Sequence, residues 1–333
     1  MPDGLTRYCL DPWTYLEVSG SMGIRPCCAR APILADGEMH LVDVIDQHPE
    51  MIQLRESLLT GALDAICGRC SVRRMVPTEQ LQRDVVGLGR FSPRMARIEL
   101  TTDCNMRCTY CTVTHPHYKI HTIPADRFAQ LFELVDWLSP DVPILVNGHG
   151  ETTYHPKWFE FCSQLVERDR RVILTSNLAK AFSEAEIELM AKFEIVQVSV
   201  DSHDDAVMKS IRKPITWTRI MGQIERIREA AAKSGHAPRF TISAGVYDPS
   251  IWTLPSFIDE VVRQRFDAIH FWDLVEYSHN TKTKALHRLD ETETHRARTI
   301  LGEVRASLTM QNIPFSFAGD FPDRLGKSLL YEG

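Results

Sequence analysis

From about residue 95 onward the chain alternates between two hydrophobic patterns. Short apolar or β-branched runs at 95–102, 143–147, 171–176, 195–200, 239–246 and 268–274 have strand length. Between them, segments at about 125–138, 156–168, 183–192, 217–233 and 254–265 place apolar residues three and four apart, the spacing of one buried helix face. Ser183 and Glu186 have the spacing of a capping box, which marks a helix start. A last helix is expected at about 290–311, followed by a short apolar run at 313–317. Six strand–helix repeats imply an α/β fold with a parallel sheet and right-handed crossovers, either closed, stopped as a partial barrel, or open. In each case ligands sit at the carboxyl ends of the strands.

Ahead of residue 95 the pattern is different. Alternation around Gly20 and Gly23 reads as a hairpin that delivers Cys27 and Cys28. The stretch 78–94, TEQLQRDVVGLGRFSPR, is polar, contains glycine and places Pro93 just before the first long strand run, so it reads as a boundary. Two domains are expected, 1–90 and 91–333.

Composition narrows the function classes. Lys plus Arg number 38 against 44 Asp plus Glu in 333 residues, a net charge of −6. No long block of one sign would hold a polyanion, so no nucleic-acid partner is expected. The first residues, MPDGLTRYCLDPW, lack a basic start and an apolar core, and no uncharged run of membrane-spanning length follows. A cytoplasmic protein with no membrane partner is the expectation. In a reducing compartment nine cysteines are metal ligands or nucleophiles rather than disulfides.

The cysteines fall in two centres. Cys104, Cys108 and Cys111 follow the first long strand run directly, so three thiolates project from the loop at a strand's carboxyl end. Three thiolates can hold three irons of a [4Fe–4S] cube and leave the fourth iron open. Structural zinc would require a fourth protein ligand. Cys9, Cys27, Cys28, Cys67 and Cys70 form the other centre, in which four thiolates would close a site for zinc or for a [4Fe–4S] cluster.

The C-x3-C-x2-C spacing after the first strand resembles the signature of radical S-adenosylmethionine (radical SAM) enzymes, and further strand ends match over about residues 94–275. Asn147-Gly148-His149-Gly150-Glu151 resembles the glycine-rich motif of that family, with His149 where glycine is more usual. By that resemblance Gly148, Gly150 and Glu151 would meet the amino group of SAM. Ser176 and Asn177 would meet its ribose, Ser199 and Arg212 its carboxylate, and Tyr110 and Val246 its adenine. The resemblance implies a partial (β/α)6 TIM barrel in which the catalytic cluster on Cys104, Cys108 and Cys111 binds SAM. One electron, from a flavodoxin or ferredoxin, then yields a 5′-deoxyadenosyl radical that abstracts hydrogen from substrate.

The amino-terminal pattern resembles a SPASM/twitch auxiliary-cluster domain: an aromatic-flanked cysteine, a glycine turn, Pro-Cys-Cys, an Arg-x3-Leu helix and C-x2-C. In most relatives that domain follows the barrel, whereas here it precedes it. By this resemblance Cys9, Cys27, Cys67 and Cys70 hold a second [4Fe–4S] cluster, with Cys28 the rival of Cys27. With no separate peptide-recognition domain evident, the expected substrate is a small polar metabolite of sugar, aminocyclitol or nucleoside type. It would be oxidised, epimerised, dehydrated or decarboxylated. Peptide modification is the runner-up, and a non-catalytic iron–sulfur or zinc module is the reading from another class.

Several residues carry lesser expectations. Cys162 lies on an apolar helix face and reads as a core thiol, with hydrogen donation to a substrate radical as the alternative. His115, His117 and His121 follow the cluster loop, and Glu276, Tyr277 and His279 follow the sixth strand run. Each group could line a substrate cavity or belong to a solvated loop.

Overall fold

The computed structural model describes residues 4–35, 39–70, 73–212, 215–274 and 283–318. The chain packs as two compact units, Met1–Thr102 with His121–Val172, and Asp103–Ile120 with Ile173–Gly333. Both are mixed α/β, with largely parallel strands.

In the first unit β1 (Leu5–Arg7), β2 (Leu16–Val18), β3 (Ile24–Arg25), β4 (Met75–Pro77), β5 (Ala96–Ile98) and β6 (Ile144–Val146) form two sheets. β1 pairs antiparallel with β4. The expected hairpin is present as β2 and β3, in register Val18 to Ile24. β2 also lies parallel to β5, Leu16 opposite Ala96, and β5 lies parallel to β6, Ile98 opposite Val146. Two consequences follow from packing. The amino-terminal hairpin continues the sheet that bears the first barrel-type strand, and its turn is carried to the carboxyl end of β5.

The stretch 78–94, expected to be a boundary segment, is instead helical over Thr78–Leu88. Leu81 is fully buried with Trp13, Leu54 and Leu58, and Val85 and Leu88 pack against the same group. Spacings of four and three put these three residues on one face, and that face outweighs the helix-weakening effect of Gly87 near the end.

The second unit holds β7 (Val172–Ser176), β8 (Ile195–Ser199), β9 (Arg239–Val246), β10 (Ala268–Asp273) and β11 (Phe315–Phe317), each parallel to the next. Helices Glu184–Met190, Trp217–Ser234, Leu254–Arg263 and Glu291–Met310 provide the connections. The Ser183 hydroxyl accepts from the Glu186 amide at 3.3 Å and the Glu186 carboxylate accepts from the Ser183 amide at 2.9 Å, so the capping box is formed. No helix among the described residues is long and apolar enough to cross a membrane.

Candidate functional site

The loop carrying Cys104, Cys108 and Cys111 is held by its own backbone and by strand ends of the second unit. The Met106 amide donates to Cys104 Sγ at 3.4 Å. Asn177, just past β7, donates from Nδ2 to Asn105 Oδ1 at 2.9 Å and lies 3.9 Å from Cys104 Sγ. The Thr109 amide donates to the Ile211 carbonyl at 2.9 Å. Burial pushes the Cys108 thiol up to about 11 and raises that of Cys111, with Arg212 opposing the shift in both. Without metal these sulfurs keep their protons, and iron binding would displace them.

Three thiols are the donor type that an iron–sulfur cluster takes. Among the described residues no three Cys, His, Asp or Glu side chains converge closely enough to hold a single metal ion. In a cube each thiolate takes a different iron, so the sulfurs stand at separate corners.

Next to this loop Asp201, at the carboxyl end of β8, gathers five donors. Its Oδ1 accepts from the Gly245 amide at 2.8 Å and Arg212 Nη2 at 3.0 Å. Its Oδ2 accepts from Arg212 Nε at 2.6 Å, Tyr247 Oη at 2.7 Å and Tyr110 Oη at 3.3 Å. Arg212 Nη1 completes the set on the carbonyl and hydroxyl of Ser199, at 3.1 and 3.0 Å. Asp201 is 1% exposed and Arg212 3% exposed. Burial works against the charge on Arg212, but Asp201 outweighs it and keeps the guanidinium protonated. Burial, with the Asp201 charge adding, holds the hydroxyls of Tyr110 and Tyr247 far above their ordinary value, so both remain donors.

This knot alters the reading of three residues. Arg212 and Ser199 do meet, but the carboxylate that Arg212 grips bidentately belongs to Asp201. Tyr110 spends its hydroxyl on the same group, and its ring packs 5.3 Å from both Tyr247 and Trp272. Asp201 itself was visible in the sequence only as a polar residue ending a β-branched run. Gly245 was not singled out, yet a Cβ there would stand 2.4 Å from the Tyr247 ring and 2.6 Å from that of Trp272. Val246, beside it, is fully buried and paired with Asp273. Ser176 accepts from the Leu178 amide at 3.0 Å, and Asn177 Oδ1 from the Ala179 amide at 2.8 Å.

The glycine motif lies in the first unit, where β6 ends. Glu99, one residue past β5 and 2% exposed, fills the space beneath it. Its Oε2 accepts from the Gly20 amide at 2.9 Å, and its Oε1 from the His149 amide at 2.6 Å and His149 Nδ1 at 3.1 Å. A Cβ on Gly148 would lie 2.2 Å from Glu99 Cγ, so glycine is required by this close approach. Burial pushes the Glu99 carboxyl up, but the bonds from the His149 ring, Gly20 and the His149 amide bring it below the usual value. A carboxylate can only accept, so Nδ1 of His149 carries the proton there. Glu151 is buried and accepts on Oε1 from the Thr153 amide and hydroxyl, at 3.1 and 2.7 Å. Gly150 lies between these two anchors.

The amino-terminal thiols are also brought together. Cys9 and Cys67 pack against the core of Trp13, Leu54, Leu58 and Leu81. Cys27 neighbours both Cys28 and Cys67, and Cys28 neighbours Cys70. Burial pushes the Cys9 thiol up to about 11 and raises those of Cys27, Cys28 and Cys67. Asp64 Oδ1 accepts from the Cys67 amide at 2.9 Å and so starts the short helix Ala65–Gly68. Arg7 donates to the carbonyls of Cys67, Gly68 and Arg73 at 3.2, 2.7 and 2.8 Å, which fixes the C-x2-C turn on β1.

Of the remaining candidates, Cys162 is fully buried on helix Trp158–Glu167, and burial alone pushes its thiol far up. The rings of His115 and His117 stand 5.4 Å apart, and His121 exchanges backbone bonds with Thr102. Glu276, Tyr277 and His279 lie outside the described residues.

The tRNA-2-methylthio-N(6)-dimethylallyladenosine synthase of Mycobacterium ulcerans (strain Agy99) is 28% identical over 193 residues, 51% of this chain and 36% of that protein. The protein of the same name from Cutibacterium acnes (strain DSM 16379 / KPA171202) is 27% identical over 153 residues, 42% of this chain and 31% of that one. The chain thus spans about a third of the length of these relatives. In fold it is similar to Streptococcus suis SuiB bound to S-adenosylmethionine, with a TM-score of 0.55 and 16% identity over 88% of this chain and 66% of that one. SuiB bound to its precursor peptide SuiA gives 0.55 and 15% over 86% and 63%. The family model of the radical SAM superfamily matches residues 98–247, which include the cysteine loop, the glycine motif and the Asp201 knot.

Proposed function

We propose that this enzyme reductively cleaves SAM and abstracts hydrogen from its substrate, using a [4Fe–4S] cluster on Cys104, Cys108 and Cys111 within a partial (β/α)6 barrel spanning 91–333. The observation that carries the reading is a loop of three thiols clamped by Asn177 and by the Thr109–Ile211 bond beside the Asp201 knot. When bound, the cluster and SAM supply one-electron cleavage of a sulfonium carbon–sulfur bond. The chain's own residues orient and exclude water. Gly148, Gly150 and Glu151 would receive the amino group of SAM, Ser176 and Asn177 the ribose, and Val246 the adenine. The bonds that the His149 amide and ring donate to Glu99 would hold the glycine loop in place. Arg212 and Ser199 act through Asp201, by holding Tyr110 and hence the backbone that carries Cys108 and Cys111.

The amino-terminal region, residues 1–90, is proposed to hold one auxiliary [4Fe–4S] cluster on Cys9, Cys27, Cys67 and Cys70, in the manner of a SPASM/twitch-like domain. Its support is that Cys9 and Cys67 pack against one core, with Cys27 next to Cys67 and Cys28 and with Cys28 next to Cys70. Electrons would come from a flavodoxin or ferredoxin. For substrate, a peptide now stands ahead of the small polar metabolite. A fold whose structure is named with a bound precursor peptide covers 86% of this chain, and the nucleoside in the name of the curated relatives is that of a tRNA rather than of a free metabolite.

The test is anaerobic reconstitution followed by measurement of 5′-deoxyadenosine. The wild type should form it, and Cys108→Ala should not; retained formation in that variant would reject the assignment. About eight irons per chain are expected for two cubes. Peptide, tRNA and small-metabolite arms are compared by the rise each causes in SAM cleavage. A rise with tRNA alone would overturn both substrate readings.

A further inference from the structure

Two guanidinium groups face the amino-terminal thiols, each with a carboxylate at its back. The Pro-Cys-Cys turn closes with the Arg30 amide on the Cys27 carbonyl at 3.5 Å, which brings the Arg30 side chain over the thiols. Arg30 Nη2 donates to Cys67 Sγ at 3.1 Å and also pairs with Asp64. The Arg30 side chain is 17% exposed, and its Nε is buried without a hydrogen-bond partner among the described residues. On the other side Arg73 reaches the Cys9 thiol and is held bidentately by Asp11, at 2.7 Å to each oxygen.

A buried N–H with no acceptor costs free energy unless something at the site accepts from it. Arg30 and Arg73 each reach a thiol while paired with a carboxylate, so each can donate to sulfur that carries negative charge. Hydrogen bonds and positive charge at sulfur favour the electron-rich state of an iron–sulfur cluster, and both are recognised levers on its potential. The carboxylates set how much of that positive charge is expressed. Asp64 is the more exposed of the Arg30 pair, so its screening of the guanidinium is partial.

We propose that Arg30 tunes the auxiliary cluster, raising its reduction potential through the charge-assisted bond to Cys67, with Asp64 setting the extent and Arg73 acting likewise beside Cys9. The proposal rests on the auxiliary-cluster reading above and adds to it which residues govern the cluster's electron affinity. It concerns a single-electron couple, reduced by the same donor class that serves the catalytic cluster. No bond is made or broken by Arg30.

The test uses the full chain with Cys104, Cys108 and Cys111 all changed to Ala, so that only the amino-terminal centre can load iron. After anaerobic reconstitution, iron and sulfide are counted and the cluster is titrated by EPR at fixed potentials. About four irons per chain are expected. Arg30→Met in this background should lower the midpoint, with a reduced fraction roughly tenfold smaller at fixed potential, equivalent to about 59 mV for a one-electron couple. Asp64→Asn, which keeps an oxygen for the Cys67 amide, should move the midpoint the opposite way. If Arg30→Met fails to load iron, the direction given by Asp64→Asn decides the matter. Full loading with neither midpoint displaced would overturn the tuning role alone. Absence of iron from the background protein would overturn the auxiliary cluster itself.

Discussion

Replacing Asp201 by Asn removes one charge from a buried carboxylate that accepts five hydrogen bonds and leaves Arg212 in place. Arg212, at 3% exposure, then keeps a buried positive charge with no counter-ion. Three of the five donors to Asp201 come from Arg212 Nε and Nη2 and from Tyr247 Oη, all at 3.0 Å or less. An amide turned towards any of them presents its own N–H to at least one of the others. Removing one partner from a buried ion pair typically costs about 3–5 kcal/mol. At about 2 °C per kcal/mol, as for larger domains, the melting temperature should fall by about 6–10 °C. The assay is thermal unfolding followed by circular dichroism on the metal-free chain under reducing conditions. Because the penalty lies in an uncompensated cation, Asp201→Asn combined with Arg212→Met should recover part of it, giving a coupling term in the double-mutant cycle. A fall of less than 2 °C in the single variant, corresponding to about 1 kcal/mol, would refute the reasoning. So would a double variant that melts lower than either single one.

Three further outcomes are expected from the first unit. Gly148→Ala puts a methyl 2.2 Å from Glu99 Cγ, and forcing the buried carboxylate aside should cost about 1–3 kcal/mol in denaturant unfolding; an unchanged midpoint would count against the close approach. Glu99 has a folded-state value below its ordinary 4.5, so its contribution is complete above 4.5 and is lost as pH falls below that through the folded value. Glu99→Gln should therefore flatten the stability profile in that acidic window, and a profile identical to wild type would show the carboxylate to be uninvolved. Leu81→Ala, at a fully buried position of the helix that was expected to be a boundary segment, should cost about 2–5 kcal/mol. Val86→Ala on the same helix, where the side chain is 79% exposed, should stay within about 0.5 kcal/mol of wild type.

Much of the fold is local and could be read directly. The runs that became β5 to β10 bury residues at alternate positions or in longer stretches, the period that a strand imposes. The Ser183 capping box and the Gly20–Gly23 hairpin are likewise decided within a few residues. The helix Thr78–Leu88 escaped notice because its four apolar residues are spread among polar neighbours and one glycine. Its stability comes from Trp13, Leu54 and Leu58, which are distant in sequence.

At the site, the positions of the thiols, the glycine motif and the polar strand ends were legible, since each stands where a strand run stops. Their partners were not. Nothing within a few residues of Arg212 says that its fork closes on Asp201, and nothing near Gly148 says that the missing Cβ makes room for Glu99. The same holds for Arg30 over Cys67, 37 residues away.

The order of the strands and helices from residue 95 onward and the placing of three thiols, a glycine motif and polar residues at strand ends were settled by the amino-acid sequence alone, because periodicity and side-chain type act over short range. Which carboxylate neutralises which guanidinium, how the Gly20 amide of the hairpin comes to donate to Glu99, and that Cys9 and Cys67 share a core were decided only by tertiary packing. Those pairings depend on apolar faces being buried together, and burial is what turns an ordinary carboxylate into the fixed counter-charge of a site.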